Sequence, residues 1–188
     1  MNLTRKIGWG LLVFSIFSLG VLRAENYQLD PRQSRLEFKA SSRFSKPLGQ
    51  FHRFDVKADI DSAHLENSQL TVTIDIDSID TGIKKRDRHL RSPDFFDAER
   101  FPQATLMVKS IHKQDEKNTL ATADLTLHGI TKSITLPVQT EEMEGHWRLF
   151  GETVISRNDF SINYKSALNP IADEVRIFYS LLLIKTGP

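Results

Sequence analysis

The sequence predicts an all-β domain of about eight antiparallel strands, and three observations carry that expectation. Apolar residues recur at every second position through most of the chain, and turn-forming residues separate these runs at short intervals. One connection, residues 82–102, breaks the rhythm with dense charge and then aromatics.

The runs follow in chain order. Leu36 and Phe38 alternate with charged neighbours, and so do Phe54, Val56, Ala58 and Ile60. Leu70-Thr71-Val72-Thr73-Ile74-Asp75-Ile76-Asp77 is the clearest, apolar on one face and Thr or Asp on the other. A helix would scatter this period of two around its circumference. Leu106/Val108, Ala121/Ala123/Leu125/Leu127 and Ile134/Leu136/Val138 repeat the pattern. Trp147/Leu149 with Val154 and Ile155 predict another strand, and Phe160/Ile162/Tyr164 a short extension of it. Val175 to Ile184 is apolar on nearly both faces, as in a strand covered on its outside too. His128-Gly129 and Gly145 predict hairpins, with glycine supplying positive φ. The polar stretches Ser62–Ser68 and Lys113–Asn118 predict exposed turns.

Within residues 82–102, Ser92-Pro93-Asp94 suits the start of a short helix, with Ser92 as N-cap, Pro93 in the first helical position and Pro102 as terminator. A connection of about twenty residues in a protein of otherwise short loops is a natural place for function. Alternation over about eight strands is satisfied equally by a closed barrel and by a two-sheet sandwich.

Composition narrows the function classes. The 188 residues contain no cysteine, which excludes a disulfide scaffold, thiolate metal sites, a cysteine nucleophile and a lipidated cysteine. Arg5 and Lys6 precede an uncharged, mostly apolar run from Ile7 to Val21, and Ala24 is a small residue at a plausible cleavage point. Residues 1–24 therefore read as a cleaved signal peptide, with 25–188 as the mature domain in the periplasm. An uncleaved anchor is the competing reading, but the run falls short of the ~20 residues a bilayer needs. Removing that segment leaves 22 bases against 24 acids, a formal charge of −2 that argues against nucleic-acid binding.

Catalytic signatures are weak. The six histidines show no metal-ligand spacing, no nucleophile elbow or phosphate-cradling glycine loop occurs, and Asp75 and Asp77 read as the solvent face of a strand. The densest ionic cluster is Arg86-Asp87-Arg88-His89-Leu90-Arg91. It suits an anion or headgroup site with Arg86 and Arg91 as forks, a pin in which Asp87 pairs with a neighbouring Arg, or a solvated charge run. Phe95, Phe96 and Phe101 either pack the connection onto the sheet or meet an apolar ligand there, and the two roles are compatible.

At this level of detail the chain resembles a known family. Tyr27-x-Leu29-Asp30-Pro31-x-x-Ser34, Gly49-x-Phe51-x-x-Phe54, Ser78-Ile79-x-Thr81, RDRHLRSPDFFD at 86–97 and Phe101-Pro102 are similar to the YceI-like family. So are Leu125-Thr126-Leu127-His128-Gly129-Ile130-Thr131-Lys132, Arg157-x-Asp159-Phe160-x-Ile162 and Asp173-Glu174-Val175. The resemblance implies a closed eight-stranded antiparallel lipocalin-like barrel, with one short helix on the long connection. It implies a periplasmic or secreted protein that holds a long-chain isoprenoid or related amphiphilic lipid, with no catalytic activity, metal or cofactor. Leu36, Phe38, Val72, Ile74, Leu125, Leu127, Ile177 and Tyr179 would line the interior, with Phe95 and Phe96 beside them. Arg86, His89 and Arg91 would meet the headgroup at the mouth.

The family's association with membrane cytochromes makes a transient contact with a membrane surface or a membrane redox protein conceivable. One departure is that many members carry a histidine where this chain reads Ser41-Ser42-Arg43-Phe44-Ser45-Lys46-Pro47-Leu48. Two other functions stay in play: a ligand-free interaction module with a solid core, and an enzyme acting on a bound lipid through His89 and Asp87.

Overall fold

The computed structural model describes residues 25–186; the expected signal segment, residues 1–24, lies outside the described residues. Eleven strands run in the order β1 (Glu25–Leu29), β2 (Arg35–Lys39), β3 (Leu48–Phe51), β4 (Phe54–Ile60), β5 (Gln69–Asp75), β6 (Ile79–Asp80), β7 (Gln103–Lys113), β8 (Asn118–Leu127), β9 (Ile130–Met143), β10 (His146–Ser156) and β11 (Glu174–Lys185). Among the described residues one α-helix, α1 (Lys84–Arg91), lies between β6 and β7.

The pairings resolve into eight staves. β1 and β2 both run antiparallel to β11, Tyr27 opposite Lys185 and Phe38 opposite Ile177, so they are two halves of one interrupted strand. β3 and β4 form a second broken stave, β5 and β6 a third. With β7 to β11 these close into an antiparallel barrel, because β11 pairs back onto β1. Twelve residues in β11, tilted as barrel strands are, give a barrel about 30 Å deep.

Each break is stitched where the ladder fails. Between β1 and β2, Asp30 N–H donates to the Leu182 carbonyl and the Ser34 hydroxyl accepts from Leu182 N–H. The breaks in β3/β4 and β5/β6 face each other: Asp75 N–H donates to the Arg53 carbonyl, Arg53 Nε to the Asp75 carboxylate at 2.8 Å, and His52 N–H to the Ser78 carbonyl.

The long apolar runs all fold as strands, and both predicted hairpins form. His128 and Gly129 adopt φ of 51° and 74°, and Gly145 73°. Three expectations need correction. The helix occupies Lys84–Arg91 rather than starting at Ser92, which instead caps its C-terminus and donates its hydroxyl to the His89 carbonyl. Pro93 therefore follows the helix, where it blocks continuation. Phe160, Ile162 and Tyr164 do not extend β10: Asn158–Phe160 is a 3₁₀ turn, and Ser161 takes a left-handed φ of 57°. Finally, β5 ends at Asp75, whose carboxylate accepts from Asp77 N–H and starts a second 3₁₀ turn, Ile76–Ser78.

Side chains alternate cleanly in β8, where Thr119, Ala121, Ala123, Leu125 and Leu127 are buried and the residues between them are not. Three buried clusters result. One gathers Tyr27, Val56, Trp147 and Leu183; one gathers Ile76, Phe95, Leu125 and Phe160; a small third joins Ala121, Ala123 and Leu136. Small inward residues (Ala58, Ala104, Ala121, Ala123) keep these clusters from filling the barrel.

Candidate functional site

The barrel encloses a cavity of about 550 Å³, bounded almost wholly by apolar side chains. This is within the ~300–1,000 Å³ typical of small-molecule sites and far above the ~30 Å³ share of one water. Its walls come from every stave. Leu36 and Phe38 reach it from β2, Val72 and Ile74 from β5, Leu125 and Leu127 from β8, and Ile177 and Tyr179 from β11. Phe95 and Phe96 reach it from the long connection.

Two positions on the wall depend on glycine. A Cβ at Gly49 would sit 2.3 Å from Phe38 Cζ, so the Phe38 ring lies directly across the β3 backbone. A Cβ at Gly151 would sit 2.6 Å from the Tyr179 hydroxyl. Tyr179 crosses β10 at this gap and donates to the Pro137 carbonyl on β9, and burial pushes its phenol up to about 12. The β9–β10 ladder has already stopped at Gln139–Phe150, so the Tyr179 hydroxyl meets a carbonyl that β10 leaves unbonded.

The connection from Thr81 to Pro102 completes the wall where β6 and β7 diverge. The last backbone link is Ile76 N–H to the Pro102 carbonyl. Beyond it Arg91 takes the place of a strand: Nε donates to the Asp77 carbonyl at 3.0 Å and Nη2 to the Ile79 carbonyl at 2.7 Å. Arg91 is thus spent on the seam and is absent from the cavity wall, unlike the other expected site residues. Asp87 is also committed, but to a different partner from the arginine expected. It is buried and accepts from both the backbone N–H and the hydroxyl of Thr81.

Arg86 and His89 do face the cavity. Arg86 donates through Nε and Nη2 to the hydroxyl and carbonyl of Thr81, each at 2.7 Å, leaving Nη1 without a partner among the described residues. His89 Nε2 lies 3.0 Å from an Asp94 carboxylate oxygen, and its ring meets Phe95 and Tyr164 edge-to-face at 4.9 and 5.0 Å. His89 is therefore held on an aromatic platform and Arg86 on Thr81, both on the wall of an apolar chamber. His89 and Asp87 share no hydrogen bond among the described residues.

Several lining residues were not expected from sequence. Tyr164 joins the aromatic platform, and Phe51 bridges Phe38 and Phe96 with centroids at 5.6 and 6.2 Å. Arg157, nearly buried, donates to the carbonyls of Ile162, Ile171 and Ala172 and so shapes the connection 157–173. That connection meets residues 40–47 through Arg43 N–H to the Pro170 carbonyl and Ala172 N–H to the Ser41 carbonyl. Ser41, Ser42 and Ser45 line the cavity from the segment that lacks the histidine. The family motifs had marked Phe51 and Arg157, but only as matches; nothing in the alternation assigns them an inward role.

Comparison with known proteins agrees with this architecture. The YceI-like domain matches residues 27–182. A UPF0312 protein of Shewanella denitrificans is 30% identical over 176 residues, covering 89% of this chain and 91% of the relative. Protein YceI of Escherichia coli is 33% identical over 175 residues, covering 88% and 90%. Among solved structures, BcnA of Burkholderia cenocepacia superimposes with a TM-score of 0.77 at 26% identity, covering 82% of this chain and 98% of that one. A polyisoprenoid binding domain from Saccharophagus degradans shares the fold, with a TM-score of 0.70 at 20% identity over 86% and 99% of the two chains. With the domain matched along nearly the whole barrel, and relatives aligned over most of both lengths, this chain belongs to the YceI-like family.

Proposed function

We propose that the protein binds a long-chain isoprenoid or similar amphiphilic lipid inside the barrel and acts as a periplasmic carrier or sequestering protein. The observation that supports this most directly is the apolar cavity of about 550 Å³ inside a closed barrel. An apolar tail gains about 25 cal/mol for each Å² removed from water, before the entropy of ordering it is subtracted. Such a wall rewards length and apolarity but discriminates poorly among tails. Headgroup selection then falls to the polar groups on the lining, among which the free Nη1 of Arg86 and the imidazole of His89 are the ones that can carry charge toward a headgroup. A carbonyl, hydroxyl or phosphate oxygen would suit both. The polyisoprenoid binding named for the Saccharophagus domain is consistent with this ligand class.

Native mass spectrometry of the protein purified from the periplasm, followed by organic extraction, tests the proposal. A one-to-one adduct that extracts as an isoprenoid or related lipid is the expected result. A mass equal to the bare polypeptide, unchanged on adding candidate lipids, would refute it and favour the ligand-free interaction module. Chemical change of the lipid on incubation, abolished in His89→Ala, would favour an enzyme instead.

A further inference from the structure

One end of the barrel carries an unusual surface. Four loops meet there: 40–47, the 81–102 connection, the 128–129 hairpin and 157–173, whereas the other end holds the turns at 61–68, 114–117 and 144–145. Large apolar side chains stand in solvent on three of the four segments around the cavity at this end. Leu168 is 85% exposed and Phe44 71%, with Leu48 and Ile83 each about half exposed. They are neighbours. Phe44 N–H faces the Asn169 side chain, beside Leu168. A Cβ on Gly49 would sit 2.9 Å from Thr81 Cγ2, which brings Leu48 and Ile83 to the same edge. The remaining exposed large apolar residues among those described, Met107, Met143 and Val154, lie singly on separate strands.

On the stretches that carry these four, residues 40–48, 82–88 and 164–169, every exposed charge is positive. Arg43, Lys46, Lys84, Lys85, Arg88 and Lys165 are all exposed, and none forms an ion pair among the described residues. The carboxylates of this end lie on other stretches, at Asp80, Asp94, Asp97, Glu99, Asp159, Asp173 and Glu174; of these Asp80 is bonded to His52, Asp94 to His89, and Asp173 to Ser156 and Asn158. The opposite end is richer in acids, with Asp61, Glu66, Asp115, Glu116 and Glu144 on its turns and Glu141 and Glu142 at the end of β9, against Lys117. A chain whose mature formal charge is slightly negative thus concentrates its cations around protruding Phe, Leu and Ile side chains. Ser41, Ser45, Ser166 and Asn169, from the same two loops, line the cavity directly beneath.

We propose that this end docks on the surface of an anionic phospholipid bilayer, with Phe44, Leu48, Ile83 and Leu168 inserted at the headgroup–acyl boundary and the surrounding cations on lipid phosphates. An apolar rim alone would fit many partners. The unpaired cations on the stretches that bear it select an anionic surface, and continuity with the cavity places the chamber over the bilayer. This inference rests on the lipid-binding reading above and adds where the lipid enters.

Vesicle co-flotation tests it, using phosphatidylcholine vesicles with and without one third phosphatidylglycerol. The wild-type protein is expected to float with the anionic vesicles, less so as salt is raised to about 0.15 M, and hardly at all with neutral ones. Lys84→Glu/Lys85→Glu should weaken anionic-vesicle binding by at least about 25-fold, at about five-fold per lost lysine. Phe44→Ser/Leu168→Ser should weaken it by at least about tenfold. All four positions are exposed, so melting temperatures should hold and exclude misfolding as the cause. No flotation of the wild type, or flotation unchanged in both variants, overturns the proposal. Lipid occupancy by native mass spectrometry, run in parallel, separates the two claims: occupied protein that never floats refutes docking alone, and protein that never binds lipid refutes the reading beneath it.

Discussion

Replacing Arg91 with Ala separates a headgroup contact from a structural seam. The side chain is one-third exposed and donates to two main-chain carbonyls that no strand reaches. A hydrogen bond from a charged donor is worth about 1.5–3 kcal/mol, and a carbonyl left dry costs its desolvation as well. Ile79 is fully buried, so its carbonyl carries most of the loss. Asp77 is exposed, so water replaces the second bond, and the Asp77 carboxylate at 3.8 Å adds little. The expected destabilisation is about 2–3 kcal/mol. In a domain of this size that lowers the melting temperature by about 5–10 °C. Delipidated protein must be used, because a bound lipid would raise the apparent stability and mask the change. Arg91→Lys should recover only part of it, since one ammonium cannot fork onto two carbonyls held apart. Lipid occupancy at a temperature where the variant is folded should match wild type. An unchanged melting temperature together with lost occupancy would refute the reasoning and return Arg91 to the headgroup.

Three further outcomes follow from the same geometry. Asp87→Ala should lower the melting temperature by several degrees while Lys84→Ala leaves it within about a degree, because the first orphans the N–H and hydroxyl of Thr81 and the second removes a solvated charge; equal shifts in paired thermal melts would contradict this. Ala121→Phe projects a ring into the cavity, so lipid affinity should fall by about tenfold or more while the delipidated protein remains folded, as read by native mass spectrometry and circular dichroism. Asp173 is held below its usual range first by the Asn158 N–H and then by the Ser156 hydroxyl. Its folded value being depressed, the stability it contributes is present above the ordinary aspartate value near 3.8 and is lost as pH falls below it; Asp173→Asn should flatten that limb of a melting-temperature profile against pH.

The legible parts of the fold were those with long local periods. β8 could be read residue by residue because five consecutive inward positions are small or aliphatic. β1, β3 and β6 could not, since five, four and two residues leave little alternation to detect, and their pairing depends on staves that arrive later in the chain. The helix was misplaced for a related reason. Ser92-Pro93 is a sound N-terminal signal in isolation, but Asp87, anchored to Thr81, folds the charged run before it. Inward apolar positions followed from alternation. The different fates of Arg86 and Arg91, five residues apart, did not, because which one faces the chamber depends on where β6 leaves β7.

That divergence also accounts for the chamber. Eight unbroken staves with large inward residues would fill their own interior. Here three staves are broken part-way along, the β9–β10 ladder stops after Gln139–Phe150, and the wall between β6 and β7 passes to a connection. Phe95, Phe96 and Leu90 enter from that connection, but they pack as a patch against Phe51, Ile76 and Leu125 rather than as a layer across the axis. The places where strands fail are held by side-chain bonds from Ser34, Arg53, Arg91 and Tyr179, each to a main-chain group or a facing carboxylate. Stability at those points is thus directional and local, and it leaves the barrel's middle without the close packing that would exclude a tail. The same breaks that cost the sheet its regular ladder open the cavity and gather the long loops at the end where the cations and exposed apolar side chains lie.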